Sequence, residues 1–441
     1  MLQILVAGAG KSSSWLIDYL LTNSKRKWRV VVMDTNADLI AEKLAGHPLG
    51  EAAVIDVHDE AARQRLVQSS DMVLSVLPPD LHYLLALDCI KFKKHLITSS
   101  YVSEQTQALD AAAREAGVML MCEMGLDPGI DHMSACQLIQ GIHRIGGTVK
   151  SFKTYCGGLV AAESDDNPWH YKISWNPKNV VLAGNAGAAW LENGKQRKVG
   201  YGELFAAGKK IKTTTGTWGW YPNRDSLKYL NLYALPEVQT FLRATLRHPS
   251  YLKGWDIAVN VGMTNDADSF DVNDATYSDW VAYLIKENND AELRAKFQQK
   301  TQADNKEMKQ FDWLGLFENR RINGAGALSS SAILQGLLEE KWKMRALDKD
   351  LVIMQHQIEY ERRGTANKMT ATLTVKGEDR QHSAMAKTVG LPMAALAKKI
   401  LLDEMNVRKL VGVHIPTMPE VFVPILKELK KMGVEFEEVW E

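Results

Sequence analysis

Residues 4–10 read Ile-Leu-Val-Ala-Gly-Ala-Gly, and this run constrains the fold more than any other part of the chain. A short apolar segment is a buried-strand candidate. It leads straight into Gly8-x-Gly10, and a helical pattern follows from Ser12 to Leu21. The next apolar run, Val30–Met33, ends at Asp34. Strand, glycine turn, helix and an acid closing the second strand are the parts of a dinucleotide-binding βαβ unit. The first glycine permits the tight turn, and the second lets a pyrophosphate approach the backbone. The helix N-terminus adds free N–H groups and a positive dipole end. Ser13 occupies the third fingerprint position, where Gly or Ala is usual, and is small enough for the helix to pack on the strand. A βαβ turn that binds no nucleotide is the competing reading.

Composition narrows the partners. Lys plus Arg and Asp plus Glu number 53 each in 441 residues, which gives no support to a nucleic-acid or membrane-surface partner. No apolar run reaches the ~18 residues of a membrane helix. Cys89, Cys122, Cys136 and Cys156 form no CxxC pair and have no histidine at ligand spacing, so reduced thiols and no metal site are expected. The first strand starts at once, with no room for a signal peptide, and a cytoplasmic location is expected. Asp266, Asp268, Asp271 and Asp274 lack the glycine and closing glutamate of a calcium loop and are expected to form a solvated loop.

Strand and helix signals alternate to about residue 122. Strands are expected at Gln3–Ala7, Arg29–Met33, Ala53–Ile55, Met72–Val76, His95–Thr98 and Val118–Met121, with helices near 12–22, 37–45, 59–68, 80–91 and 103–116. Ser103 reads as an N-cap and Gly117 as a stop. The pattern predicts a Rossmann-type, doubly wound parallel sheet in an α/β chain, with an α+β substrate and dimerisation domain carrying a helical insertion. The expected division is 1–125 with a return over about 400–441, then 126–276 with 346–399, and a helical subdomain at 277–345. Antiparallel strands are expected from Lys150 to Leu182, a hairpin of Leu351–Glu361 and Met369–Val375, and a helix near Met385–Leu402. A homodimer is the expected assembly.

In such a sheet, ligands lie at the carboxyl ends of the strands. These ends are Gly8–Gly10, Asp34, Asp56–Val57, Leu77–Pro78, Ser99–Tyr101 and Glu123–Asp127. The first three face the adenosine half, and the last three face the nicotinamide and the substrate. Gly125-Leu-Asp-Pro-Gly-Ile-Asp-His132 is a turn running into a helix. Asp127 either shapes that turn or binds a cationic group and moves a proton. Arg224 and Arg247 lie beside Asn, Pro and His in loops, where an arginine is either a carboxylate clamp or a surface residue. Cys156-Gly-Gly brings backbone N–H groups near a ligand or simply ends a strand. His170, among aromatics, is the better acid–base candidate of the scattered histidines, and His132 reads equally as a packed helix residue.

Together these motifs resemble the glutamate-forming saccharopine dehydrogenase (saccharopine reductase) family. The resemblance rests on Gly8-x-Gly10, Val76-Leu-Pro78, Ser99-Ser-Tyr101, Gly125–His132, Cys156-Gly-Gly158, Lys172-Ile-Ser-Trp175, Pro222-Asn-Arg-Asp-Ser226 and Thr245-Leu-Arg247. It implies an oxidoreductase of lysine metabolism that cleaves or forms saccharopine, a small amino-acid substrate joined through a secondary amine. It also implies that Ser100, Tyr101, Asp127, Cys156, Asn223, Arg224, Thr245 and Arg247 line the substrate. Asp127, Tyr101 and His170 are the catalytic candidates. The cofactor set is Gly8, Gly10, Lys11, Ser12, Ser13, Asp34, Asp56, Val57, Val76, Leu77, Ser99, Leu126 and Ser174. Two departures stand out. Lys11-Ser12-Ser13 replaces apolar residues, and Asp34 is followed by Thr35 and Asn36 rather than an arginine. A carboxylate there repels a 2′-phosphate, so NAD is the preferred cofactor on this reading, with NADP as the alternative. A carboxynorspermidine-type reductase and a non-catalytic dinucleotide-binding regulator are the alternative functions.

Overall fold

Apolar residues on both faces put the first strand at the centre of a covered parallel sheet. The computed structural model describes residues 1–441, the side chain of Arg408 excepted. Two compact units divide the chain: 1–147 with 373–437, and 148–372 with 438–441. The first unit opens with β1 (Leu2–Ala7), α1 (Ser14–Thr22), β2 (Trp28–Asp34), α2 (Ala37–Leu44), β3 (Gly50–Val54), α3 (Glu60–Ser69) and β4 (Met72–Ser75). It continues through α4 (His82–Phe92), β5 (His95–Thr98), α5 (Glu104–Gln107), α6 (Asp110–Ala116), β6 (Met119–Met121) and α7 (Ile130–Arg144). Ile4, Leu5, Val6 and Ala7 are fully buried. β1 pairs in parallel with β2 and β4, which sets Ala7 opposite Met33 and Ser75. All six expected strands are present, and the fold class stands as expected. The single helix expected near 103–116 is two, α5 and α6. The Ser103 side chain caps α5 by accepting from Thr106 N, and Gly117 ends α6 at φ +71°.

The second unit holds β7 (Thr148–Val160), α8 (Pro177–Val181), β8 (Ala188–Glu192), β9 (Lys195–Val199), α9 (Tyr201–Leu204), β10 (Lys209–Thr213), β11 (Gly216–Pro222), β12 (Arg224–Asp225) and β13 (Thr240–Arg247). α10 (Pro249–Asn260), β14 (Phe270–Asp271), α11 (Tyr277–Ile285), α12 (Leu293–Thr301), α13 (Asn305–Leu314), β15 (Ala327–Leu328), α14 (Ser330–Lys341), β16 (Asp350–Arg362) and β17 (Thr365–Lys376) follow. Its main sheet runs β10-β11-β13-β7-β16-β17. β7 lies parallel to β13 and antiparallel to β16. From 150 to 182 only β7 is a strand, not the several expected. Pro168 and the Asp-Asp-Asn before it break any ladder, and the aromatics serve another purpose. Trp169 and Tyr171 are buried in a core shared with Trp255, Trp280 and Trp342. The Asp266–Asp274 stretch is also not simply solvated. Asp268 accepts from Ser330 N at 2.8 Å and Asp266 from Ser331 Oγ at 2.5 Å. Both carboxylates thus meet the N-terminus of α14, where its dipole favours an anion.

The chain then returns to the first unit with α15 (Ala384–Leu401), β18 (Gly412–His414) and α16 (Pro419–Lys431). α15 packs closely on α1 at Gly390, where a Cβ would lie 2.9 Å from Leu16 N. β18 extends the parallel sheet to the order β18-β6-β5-β4-β1-β2-β3. A last strand, β19 (Phe436–Trp440), carries the tail to the second unit, where Glu441 and Lys368 exchange backbone hydrogen bonds. Glu428 clasps the returning helices to α1. It accepts from Tyr19 at 2.8 Å, Lys398 at 2.9 Å and Lys431 at 3.0 Å. Burial alone would raise its carboxyl, but hydrogen bonds from Lys398, Tyr19 and Lys431 outweigh burial and pull it to about 2. A depressed carboxyl stabilises the fold above its unfolded value and loses that contribution as pH falls towards the folded value. Glu428→Gln is therefore expected to be less stable than the parent at neutral pH, with the gap closing from about pH 4.5 downwards. Melting temperature against pH reads this; a constant gap over that range rejects it.

Candidate active site

The carboxyl edge of the parallel sheet carries the glycine turn. Gly8 N donates to Met33 O at 2.8 Å, and Gly8 adopts φ +105°, a conformation that glycine takes without strain. A Cβ there would press on Val76 at 3.2 Å, so Gly8 is needed for close approach between neighbouring strand ends. Gly10 is exposed and would have nothing within 4 Å of a Cβ. That opening, followed by Lys11, Ser12 and Ser13 at the start of α1, fits the diphosphate of a dinucleotide. Ser13 Oγ turns back to Gly10 O at 2.8 Å. Asp34 braces the loop, with one oxygen accepting from Ala9 N at 2.8 Å and the other from Asn36 N at 3.0 Å. Asp56 is exposed at the end of β3 and accepts from His58 N, and Val57 beside it is buried. Val76, Leu77 and Ser99 are half-buried further along the same edge, and Leu126 is buried.

Beyond them, three short segments meet. Tyr101 Oη donates to Asp127 Oδ1 at 2.9 Å. Asp127 sits in a tight turn closed by Gly125 N to Pro128 O and Ile130 N to Gly125 O, each 2.9 Å. The Asp127–Pro128 peptide is cis. Gly129 N donates to Asp131 Oδ1 at 2.6 Å, which ties the turn to the first residues of α7. His132 is fully buried, with Nε2 2.7 Å from Glu123 Oε2, and the other Glu123 oxygen accepts from Val102 N at 3.1 Å. Ser100 Oγ lies 2.8 Å from Nε2 of His82, whose Nδ1 lies 2.8 Å from Ser75 Oγ. Burial lowers the His82 imidazole to about 4. Sequence reasoning passes over His82 and names Glu123 only as a strand end, with no role of its own. Neither belongs to a spaced motif, and only the fold sets the His82 ring between the ends of β4 and β5 and Glu123 just past β6.

The second unit places its candidates differently. Cys156 is buried in β7 between Thr245 of β13 and Met354 of β16. Gly157 beside it is a packing residue, since a Cβ would meet Leu246 O at 2.7 Å. Arg224 is exposed at φ +51°, and Asn223 N donates to Arg243 O at 2.8 Å. Arg247 is buried, stacked 5.1 Å from the Tyr171 ring and 5.6 Å from the Tyr251 ring, with Nη1 donating to Leu246 O. Arg243, also buried and stacked 4.5 Å over Tyr229, carries no signal in the sequence because it lies inside a strand pattern. Lys172 is buried and joins Asp166 and Asp348 at 3.0 and 2.7 Å, fastening the segment that carries the buried Ser174. His170 bonds Asp165 at 2.6 Å through Nδ1 and lies 3.8 Å, ring to ring, from His248. Burial, then His170, lowers His248 to about 4. His170 lines a cavity of about 630 Å³ with Lys209, Lys210, Lys253 and Lys306. Among the described residues no group of three His, Cys, Asp or Glu is arranged to hold a metal, and no helix is long and apolar enough to cross a membrane.

Residues 4–121 match the family model for the saccharopine dehydrogenase NADP binding domain, and residues 125–434 match that for the saccharopine dehydrogenase C-terminal domain. A protein of Pyricularia oryzae named saccharopine dehydrogenase (NADP(+), L-glutamate-forming) is 34% identical over 451 residues, covering 99% of this chain and 98% of that protein. The protein of the same name from Saccharomyces cerevisiae is 34% identical over 448 residues, with the same coverage. Alpha-aminoadipic semialdehyde synthase of Bos taurus is 32% identical over 98% of this chain but 47% of its own length. The solved apo saccharopine dehydrogenase (L-Glu forming) from Saccharomyces cerevisiae superposes with a TM-score of 0.87 at 32% identity, covering 100% of both chains. One expectation is overturned. The preference for NAD drawn from Asp34 conflicts with an NADP binding domain over residues 4–121 and with fungal relatives named for NADP(+). The loop geometry supplies a physical reason. Both Asp34 oxygens are engaged by backbone N–H groups, so this carboxylate braces two loops, and its charge does not by itself dictate the cofactor.

Proposed function

Because the chain belongs to the saccharopine dehydrogenase family, we propose that it interconverts saccharopine with L-glutamate and 2-aminoadipate 6-semialdehyde, using NADP. NADP, when bound, exchanges a hydride at the carbon bearing the secondary amine. In the cleaving direction that carbon becomes an imine, water adds, and the carbinolamine collapses to the two products. Gly8, Gly10 and the start of α1 with Lys11, Ser12 and Ser13 hold the diphosphate, with Asp34, Asp56 and Val57 towards the adenosine. Val76, Leu77, Ser99 and Leu126 in the first unit are the candidates to orient the nicotinamide half, and Ser174 in the second unit is the candidate that the family resemblance adds. The observation that carries the chemistry is the Tyr101–Asp127 hydrogen bond at the carboxyl edge of the sheet. A carboxylate paired with a phenol there can hold the substrate's amine and take up or return its proton. The Asp165-bound His170 is the second proton-handling candidate. Saccharopine carries three carboxylates, which suit Arg224 and Arg247 with Asn223, Thr245 and Cys156 in the second unit, while Ser100 is the polar candidate in the first. These arginines disfavour the polyamine chemistry of a carboxynorspermidine-type reductase.

The direct test is purified protein with saccharopine and NADP. Formation of NADPH together with glutamate supports the assignment. Tight NADPH binding without turnover of saccharopine returns the chain to the regulatory reading. Within that assay Arg224→Lys is expected to lower kcat/KM for saccharopine about 30-fold with NADPH affinity intact, because lysine cannot reproduce the planar fork of a carboxylate clamp. A normal kcat/KM makes Arg224 a surface residue.

A further inference from the structure

His82 lies in none of the binding or catalytic sets above, yet it occupies a demanding position. It is the first residue of α4, is 6% exposed, and touches two serine hydroxyls, Ser75 at the end of β4 and Ser100 just past β5. Burial holds the ring neutral near pH 7. A neutral imidazole has one N–H and one lone pair. Placed between two hydroxyls, it must donate to one and accept from the other, so its hydrogen bonding is satisfied and directional. One ring thus ties together the ends of two neighbouring parallel strands at the edge where ligands bind in such sheets.

The segment after β5 is fastened from the other side as well. Glu123 N donates to Ser100 O at 3.0 Å, Val102 N to Glu123 Oε1 at 3.1 Å, and Met124 N to Thr98 O at 2.9 Å. Tyr101, between these anchors, donates to Asp127. Of these anchors, only the Ser100 hydroxyl looks towards β4, and the His82 ring supplies that link. We propose that His82 is a positioning residue which, through Ser100, sets the place of Tyr101 against Asp127 and hence the geometry of the reacting amine. The link to the reacting amine rests on the function proposed above; the fastening of residues 99–102 does not.

Side-chain reach separates this role from simple packing. Gln places its amide near the Nε2 position and keeps contact with Ser100. Asn reaches only the Nδ1 position and keeps contact with Ser75. Two readouts on the full chain then apply: steady-state kinetics with saccharopine and NADP, and backbone amide exchange over residues 99–102. His82→Gln is expected to keep kcat within about 3-fold and exchange near the parent's, whereas His82→Asn loses about 10–30-fold in kcat with KM for NADP unchanged, and exchanges faster. Equal behaviour of the two variants, or Asn outperforming Gln, overturns the proposal. Should the parent protein show no turnover of saccharopine, the functional assignment fails, and amide exchange alone still decides whether His82 fastens the segment.

Discussion

Asp127→Asn is expected to lower kcat/KM for saccharopine by about 100-fold or more, while NADPH affinity and melting temperature are expected to stay near the parent's. Asn has the same shape and still accepts the 2.9 Å hydrogen bond from Tyr101, so the turn survives. It cannot carry a negative charge, hold an ammonium group by attraction or take up a proton. The change therefore separates the two roles that local sequence leaves open for Asp127. Nearly unchanged turnover makes it a turn residue. A fall in NADPH affinity equal to the fall in turnover places it at the cofactor instead.

Gly129→Ala is expected to be destabilising by more than about 4 kcal/mol and to abolish turnover with it. Gly129 adopts φ +146°, where L side chains are strained, and an added Cβ would overlap the backbone of Gly125. The obstructing atoms are a carbonyl and an amide held in the same turn, not the end of a flexible side chain. Relief requires opening the Gly125 N to Pro128 O hydrogen bond, which moves Asp127. Gly10→Ala is the contrast. Its Cβ meets nothing within 4 Å, so stability holds within about 1 kcal/mol while NADPH affinity falls. Urea unfolding of both variants reads this. A loss below about 1 kcal/mol in Gly129→Ala shows that the turn can relax, contrary to the crowding seen around it.

Local chemistry determined much of this protein. The apolar run before Gly8 forms a central strand, and the six strand signals up to residue 121 became six parallel strands. Strand ends in such a sheet must share an edge, and that rule alone puts Tyr101 and Asp127 near one another; the two are hydrogen-bonded. Signals of this kind survive in one dimension because period, caps and glycine turns act over a few residues. Tertiary structure alone decided the rest. The seventh strand, β18, is only three residues long and lies about 290 residues from its partner β6. The aromatics around Trp169 alternate as a strand would, yet they fill a helical core because helices far along the chain supply their neighbours. The roles of His82 and Glu123 depend on partners across neighbouring strand ends, and single residues joined by folding leave no spacing to read. Asp34 is the sharpest case. Its charge is visible in the sequence, but the two N–H groups that engage it exist only once the turn has closed.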